Sequence, residues 1–297
     1  FPIEFFAASM TLDINNTDKL SIFQQELSRL KIKLVPPSIN QSNYNFVRQG
    51  DSILYALGAI KNVGIESMKE MIKEREQNGK FENFNDFMKR CNSTIINKKT
   101  IEALSSAGAF DEFNINRSSI FNQASEIVKY HKMISSQVEN VQEDMFGKKG
   151  LMEYEITKYE EWKLNDKLMK EYEMLGFYLS GHPLEEYKSS YSKLMLKEFD
   201  YIKHEKKFHD QKDVLLGGTL LSKKEKRSAR GNNYAFLNFS DLTSIYELII
   251  FESTLRKYRD ILIEGDSFVL GVDFSNKNGT LRGELKRVFK FDELKKT

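Results

Sequence analysis

Metal-assisted phosphoryl transfer needs two or three carboxylates converging on ions roughly 4 Å apart, so the aspartates are the first residues to test. Asp13, Asp18, Asp51, Asp111, Asp241 and Asp273 are dispersed at turns and helix starts, where a carboxylate caps backbone N–H groups. No G-x-x-x-x-G-K-[ST] phosphate loop, no G-x-S-x-G and no Ser–His or His–Cys pair stands in supporting context. Four scattered histidines and the single Cys91 have no metal-ligand spacing, and one cysteine cannot form an internal disulfide. The chain itself is therefore expected to do no bond-making chemistry and to carry no cofactor or metal, and Cys91 reads as inert.

Three other constellations suit binding. G-A-I-K-N-V-G-I-E-S-M-K-E-M-I (58–72) reads as a turn of helix, a tight hairpin and a second helix, which would turn the N–H groups of Asn62, Val63 and Gly64 outward to hold a phosphate, with the Lys61 charge beside them. I-I-N-K-K-T-I-E-A-L repeats the idea with Lys98 and Lys99 at a helix start. A plain helical hairpin with solvated lysines has the same pattern, and Asn62 stands where such a hairpin usually has glycine.

The second constellation is S-K-K-E-K-R-S-A-R-G-N-N-Y-A-F (222–236). Lys223, Lys224, Lys226, Arg227 and Arg230 could meet a nucleic-acid backbone, and Tyr234 and Phe236, two residues apart on a strand, could stack on bases. Alternation turns Ala235, Leu237 and Phe239 inward; a register slip of one would invert that. The third is V-Q-E-D-M-F-G-K-K-G (141–150). Gln142 is followed by Asp144, Met145 and Phe146 in a stretch too polar to fold on itself. In a partner's pocket Met145 and Phe146 could each contribute about 1.5–3 kcal/mol before ordering costs. The alternative is that Phe146 folds back on the preceding helix.

The elements that must hold these residues follow from periodicity. A helix is expected over 3–11, and a second opens at Asn16 or Thr17 with Leu20, Phe23, Leu27 and Leu30 on one face. K-I-K-L-V ends at Pro36-Pro37; Y-N-F-V and S-I-L-Y-A flank Gln49-Gly50-Asp51 as a hairpin. Short glycine-punctuated helices fill 58–113, and a longer helix capped by Asn114 or Asn116 carries Ile120, Phe121, Ala124, Ile127, Val128 and Ile134 until about Val138. Residues 147–210 are charged and helical in pattern, broken at Gly176 and at Ser180–Leu184 (S-G-H-P-L). Beyond them the period becomes two: five strands, with a helix near Glu252 to Tyr258 between the third and fourth, in the order of an OB-fold β-barrel.

At 297 residues, 40% hydrophobic and 30% charged, the composition is that of an ordinary soluble chain with room for several domains. The net charge of +2 names no partner by itself, although five basic residues crowd between Lys223 and Arg230. No apolar run approaches the roughly 18 residues of a membrane span. The chain begins with Phe1 and reads as a piece cut from a longer protein, soluble, without a membrane partner, and in a reducing compartment, the cytoplasm.

Eight blocks in order make the chain resemble the α subunits of bacterial DNA polymerase III, the C-family replicative polymerases: F-P-I-E-F-F-A-A-S-M-T, N-N-T-D-K-L, L-V-P-P-S-I-N, Y-A-L-G-A-I-K-N-V-G, S-S-A-G-A-F-D, Q-E-D-M-F-G, L-G-F-Y-L-S-G-H-P-L and A-F-L-N-F-S-D. The resemblance implies an α+β multidomain fragment. Residues 1–56 would be the end of a mixed α/β fingers region, 57–147 tandem helix-hairpin-helix elements on duplex DNA with the clamp-binding segment, 148–210 a helical connector, and 211–297 a five-stranded OB-fold that binds single strands. Gln142, Asp144, Met145 and Phe146 would be the sliding-clamp contact. DNA, as primer-template duplex and single-stranded template, the clamp and other polymerase holoenzyme subunits are the implied partners. The catalytic aspartates and their Mg2+ would lie in a palm upstream of Phe1, so DNA-directed DNA polymerase activity would belong to the longer protein. Met145 stands where the family often has leucine, and Ser244 where it often has glycine. The barrel alone leaves open another nucleic-acid-binding protein, such as a tRNA anticodon-binding OB domain, or a helical scaffold with an OB-like protein-interaction barrel.

Overall fold

Pro2 opens α1 (Pro2–Leu12), where its missing N–H costs nothing, and the Asn16 side chain accepts from the Lys19 N–H at 3.1 Å to start α2 (Thr17–Arg29). β1 (Lys33–Val35) runs parallel to β3 (Ser52–Leu54), which pairs antiparallel with β2 (Val47–Gln49) across a turn at Gly50, φ 58°. The hairpin expected around Gly50 is present, with its first strand beginning only at Val47. α3 (Ile65–Asn78), α4 (Phe84–Arg90) and α5 (Lys98–Ser106) are too short to stand alone. They bury Met68, Met71, Phe84, Phe87, Ile101 and Leu104 in one core with Tyr55 and Phe110.

The computed structural model describes residues 1–140, 153–229, 231–277 and 279–294, and these divide into two compact units, Phe1–Ser180 and Gly181–Thr297. In the first unit the single long helix expected after Asn116 is two, α6 (Arg117–Asn122) and α7 (Ala124–Asn140). The buried Gln123 side-chain amide donates to the Ser119 carbonyl at 2.8 Å, the acceptor that the Gln123 N–H would use in a continuous helix. That N–H turns to Phe121 instead. Asn116 holds the N-cap position, one of the two expected, but its side chain makes no capping bond; the Glu161 carboxylate accepts instead from the N–H groups of Arg117 and Ser118 at 3.2 and 3.3 Å. Glu161 belongs to an extended segment whose backbone is held by side chains, Tyr154 by Asn85 and Thr157 by Gln123, each in both directions. α8 (Leu164–Leu175) follows and ends at Gly176, φ 87°.

The described part of the expected 148–210 connector is shared between the units. Leu175 and Phe177 join the first core, whereas in the second unit Ile202 and Phe208 pack in the barrel core and Leu184 and Leu196 in a smaller cluster with Val269 and Phe291. There α9 (Lys188–Lys193) and α10 (Phe199–His204) precede the strands. β4 (Val214–Arg227), β5 (Asn233–Ser240), β6 (Ile245–Phe251), β7 (Ser267–Lys277) and β8 (Thr280–Lys290) close a barrel in the order β4-β5-β6-β8-β7. β6 and β8 are parallel, α11 (Glu252–Tyr258) links β6 to β7, and α12 (Phe291–Leu294) follows β8. This is the OB-fold, with helices and a small sheet before it, an α+β arrangement.

Candidate nucleic-acid interface

β5 and β6 bury alternate side chains along most of their length, and the register on β5 is the one that alternation predicts. Ala235, Leu237 and Phe239 are fully buried, leaving Tyr234 and Phe236 on the outer face with ring centres 5.6 Å apart and planes at 77°. On β6 the direct partners of Tyr234 and Phe236 are Phe251 and Ile249, so two apolar cross-strand pairs lie side by side. They floor a cleft of about 1120 Å³ walled by Ser228 and Asn232 on the β4–β5 turn, by Asn233 at the start of β5, and by Ser253 and Arg256 on α11.

The basic residues of β4 separate by the same alternation. Lys224 pairs with Phe236 and Lys226 with Tyr234, which places both on the aromatic face, and the Lys226 ammonium lies 5.1 Å from the Phe236 ring centre. Lys223 pairs with the inward Leu237 and donates to the Arg259 carbonyl at 3.0 Å. Arg227 donates from Nε to the Gly231 carbonyl at 3.0 Å and braces the turn. Arg230 lies outside the described residues. Sequence reasoning missed Ile249, Phe251 and Arg256; the available signal was an aromatic at the exposed parity of the third strand, directly before a helix.

The hairpin site is built in the first unit. Asn62 has φ 67°, the left-handed conformation for which glycine is usual and which Asn tolerates better than most. The N–H groups there divide between structure and surface. Val63 is buried and donates to the Ile60 carbonyl at 3.2 Å, and Lys61 donates to the Met174 carbonyl at 3.0 Å, so the Val63 N–H does not face outward as the sequence suggests. Gly64 precedes α3 without a side-chain cap, and the N–H groups of Ile65, Glu66 and Ser67 stand before the first intrahelical bond, Met68 to Gly64. A cleft of about 450 Å³ adjoins them, lined by Asn15, Thr17, Lys61, Asn62 and Gly64. At the second hairpin Asn97 caps α5 through the Thr100 N–H at 3.0 Å; Lys98 and Lys99 are exposed, with Lys98 3.7 Å from Glu102. Ser67 donates to the Thr94 carbonyl at 3.5 Å, which sets the start of α3 beside the loop into α5.

Gln142, Asp144, Met145 and Phe146 lie outside the described residues. Burial pushes the Cys91 thiol well above its ordinary range, which keeps it protonated. Among the described residues no group of three or more His, Cys, Asp or Glu could hold a metal ion, and no helix is long and apolar enough to cross a membrane.

A helix-hairpin-helix motif model matches residues 31–120. The chain is 35% identical over 285 residues to the DNA polymerase III subunit alpha of Caulobacter vibrioides (strain NA1000 / CB15N), covering 95% of this chain and 25% of that protein. It is 32% identical over 287 residues to the DNA polymerase III subunit alpha of Campylobacter jejuni subsp. jejuni, covering 91% and 23%. The chain thus spans about a quarter of the length of the curated relatives it matches. Among solved structures, the mitochondrial single-stranded DNA binding protein Rim1 of S. cerevisiae aligns with 27% of this chain and 96% of its own, at 16% identity and a TM-score of 0.24.

Proposed function

We propose that this chain, a relative of DNA polymerase III alpha subunits along nearly its whole length, is a DNA-handling part of a replicative polymerase. The barrel takes the single-stranded template, the hairpins hold primer-template duplex through backbone N–H groups at the start of α3 with Lys61, Lys98 and Lys99 nearby, and residues 142–146 tether the assembly to a sliding clamp. The observation that carries the reading is the outer barrel face, where Tyr234 and Phe236 lie beside Lys224 and Lys226 over an open cleft. Rings offer any base a stacking surface while ammonium groups neutralise phosphates, which suits a strand whose sequence changes continuously. A peptide tether raises the local concentration of the DNA-binding surfaces at the primer end, so a weak clamp contact suffices for processive synthesis.

Nucleotidyl transfer, its catalytic aspartates and Mg2+ belong in this reading to the longer protein, in the cytoplasm with other holoenzyme subunits, and the present chain alone extends no primer. Fluorescence anisotropy with labelled oligothymidylate and with a duplex tests the DNA reading. Binding to both, weakening as salt rises, is expected; absent or salt-insensitive binding overturns it. Replacing Gln142, Met145 and Phe146 with alanine should abolish capture by an immobilised clamp and leave DNA affinity intact, and unchanged capture would remove the clamp assignment.

A further inference from the structure

The two apolar pairs on the outer barrel face impose a geometry on whatever lies across them. Tyr234 and Phe251 form one row, Phe236 and Ile249 the next, two residues further along the strands. Two residues of antiparallel strand span about 6.8 Å, twice the roughly 3.4 Å between successive bases of a stacked DNA strand. The Tyr234 and Phe236 planes stand at 77° to each other, so two bases lying flat on these rings cannot lie flat on one another. Positive charge flanks the rows on both sides, Lys226 from β4 and Arg256, which is 83% exposed, from α11. Phe251 is itself 45% exposed although it closes an internal strand of the barrel.

Resting on the reading of the barrel as a single-strand site, we infer that this cleft holds two consecutive unpaired deoxynucleotides splayed from each other, one base on the Tyr234–Phe251 row and one on the Phe236–Ile249 row, with phosphates between Lys226 and Arg256. The second wall, Phe251 and Arg256, is then as much a part of the site as the basic loop. The 77° between the ring planes also accounts for selection against duplex, since successive bases turned that far from parallel cannot both keep their pairs. Discrimination among bases is weak, because stacking on rings supplies the contact.

The test is equilibrium binding of a fluorescein-labelled twelve-residue oligothymidylate to the full chain and to Phe251→Ala, Arg256→Ala and Tyr234→Ala, each checked for unchanged circular dichroism and melting. Phe251→Ala should weaken binding roughly tenfold or more, and Arg256→Ala should reduce the slope of log affinity against log salt by about 0.7. A matching duplex should bind the wild type through other surfaces and be indifferent to both changes. If Tyr234→Ala weakens single-strand binding while Phe251→Ala and Arg256→Ala do not, the two-walled cleft is wrong and the barrel reading stands. If the wild type fails to bind the oligothymidylate, both fall.

Discussion

The Arg117 guanidinium occupies the space that a side chain at Gly108 would need, and Gly108 has φ 80°, a conformation L residues avoid. Buried Arg117 spans the Asp111 carboxylate at 2.8 and 2.5 Å and approaches the buried Glu171 at 3.5 Å. Gly108→Ala should therefore cost at least about 3 kcal/mol, combining left-handed strain with displacement of a buried cation from its partners. Urea unfolding monitored on the first unit checks this; a loss under about 1 kcal/mol, on the order of an ordinary surface change, would mean the network tolerates displacement.

Gln123 makes a sharper, local prediction. Its amide satisfies both the N–H and the C=O of Thr157, at 3.0 and 2.7 Å, in a segment with no ladder of its own. Gln123→Ala removes both bonds and leaves the groups of exposed Thr157 to water, and should cost about 1–3 kcal/mol, roughly 0.5–1.5 for each bond lost. Amide exchange should accelerate at Thr157 and Tyr159 while Met68 in α3 keeps its protection. Equal acceleration everywhere would indicate global destabilisation instead.

The barrel was legible because its signal is local: alternation fixed Ala235, Leu237 and Phe239 inward, and the strands follow one another along the chain. The break at Gln123 was not, since its cause is a hydrogen-bond competition involving a partner at Thr157, 34 residues away. The cap from Glu161 was hidden for the same reason, as no spacing rule reaches 44 residues from Arg117. Of the candidate site, sequence supplied Tyr234, Phe236, Lys224 and Lys226. Alternation along β4 sets Lys223 on the opposite face from Lys224 and Lys226, but a register shift between Leu220 and Ser222 hides from the sequence which of the two faces carries the aromatics.

Asn62 tests how the first hairpin was built. At φ 67° glycine is more comfortable than asparagine, and β-branched residues are the least so. Asn62→Gly should be neutral or stabilise by up to about 1 kcal/mol, and Asn62→Val should destabilise by roughly 1–2 kcal/mol. Duplex affinity should survive the glycine change if backbone N–H groups make the contact. A large loss on Asn62→Gly at full stability would assign the contact to the side chain.

His182 gives the second unit a pH dependence. Its Nδ1 accepts from the Leu184 N–H at 3.1 Å, so the neutral ring donates from Nε2 to the Ser240 hydroxyl at 2.8 Å, and burial pushes its pKa down to about 4. The unfolded chain therefore takes up the proton first. The stabilisation is complete above the ordinary histidine value near 6.5 and is lost as pH falls from there toward 4, a contribution of roughly 3 kcal/mol across the window. His182→Asn keeps an acceptor for Leu184 without the titration. Urea midpoints between about pH 4 and 7 should flatten in that variant, and an unchanged slope would place the dependence elsewhere.

The lysines of β4 should divide functionally as they divide in space. Lys224→Glu and Lys226→Glu put negative charge beside Phe236 and Tyr234, and should each weaken single-strand binding and flatten its salt dependence by about 0.7 for every phosphate that is no longer neutralised. Lys223→Ala removes a donor to the Arg259 carbonyl and leaves the aromatic face untouched. It should lower stability by about 0.5–1.5 kcal/mol with affinity unchanged at matched folding. Anisotropy titrations at three salt concentrations, paired with melting curves, separate the two classes. An affinity loss at Lys223→Ala equal to that at Lys226→Glu would mean that the strand crosses β4 on its other face.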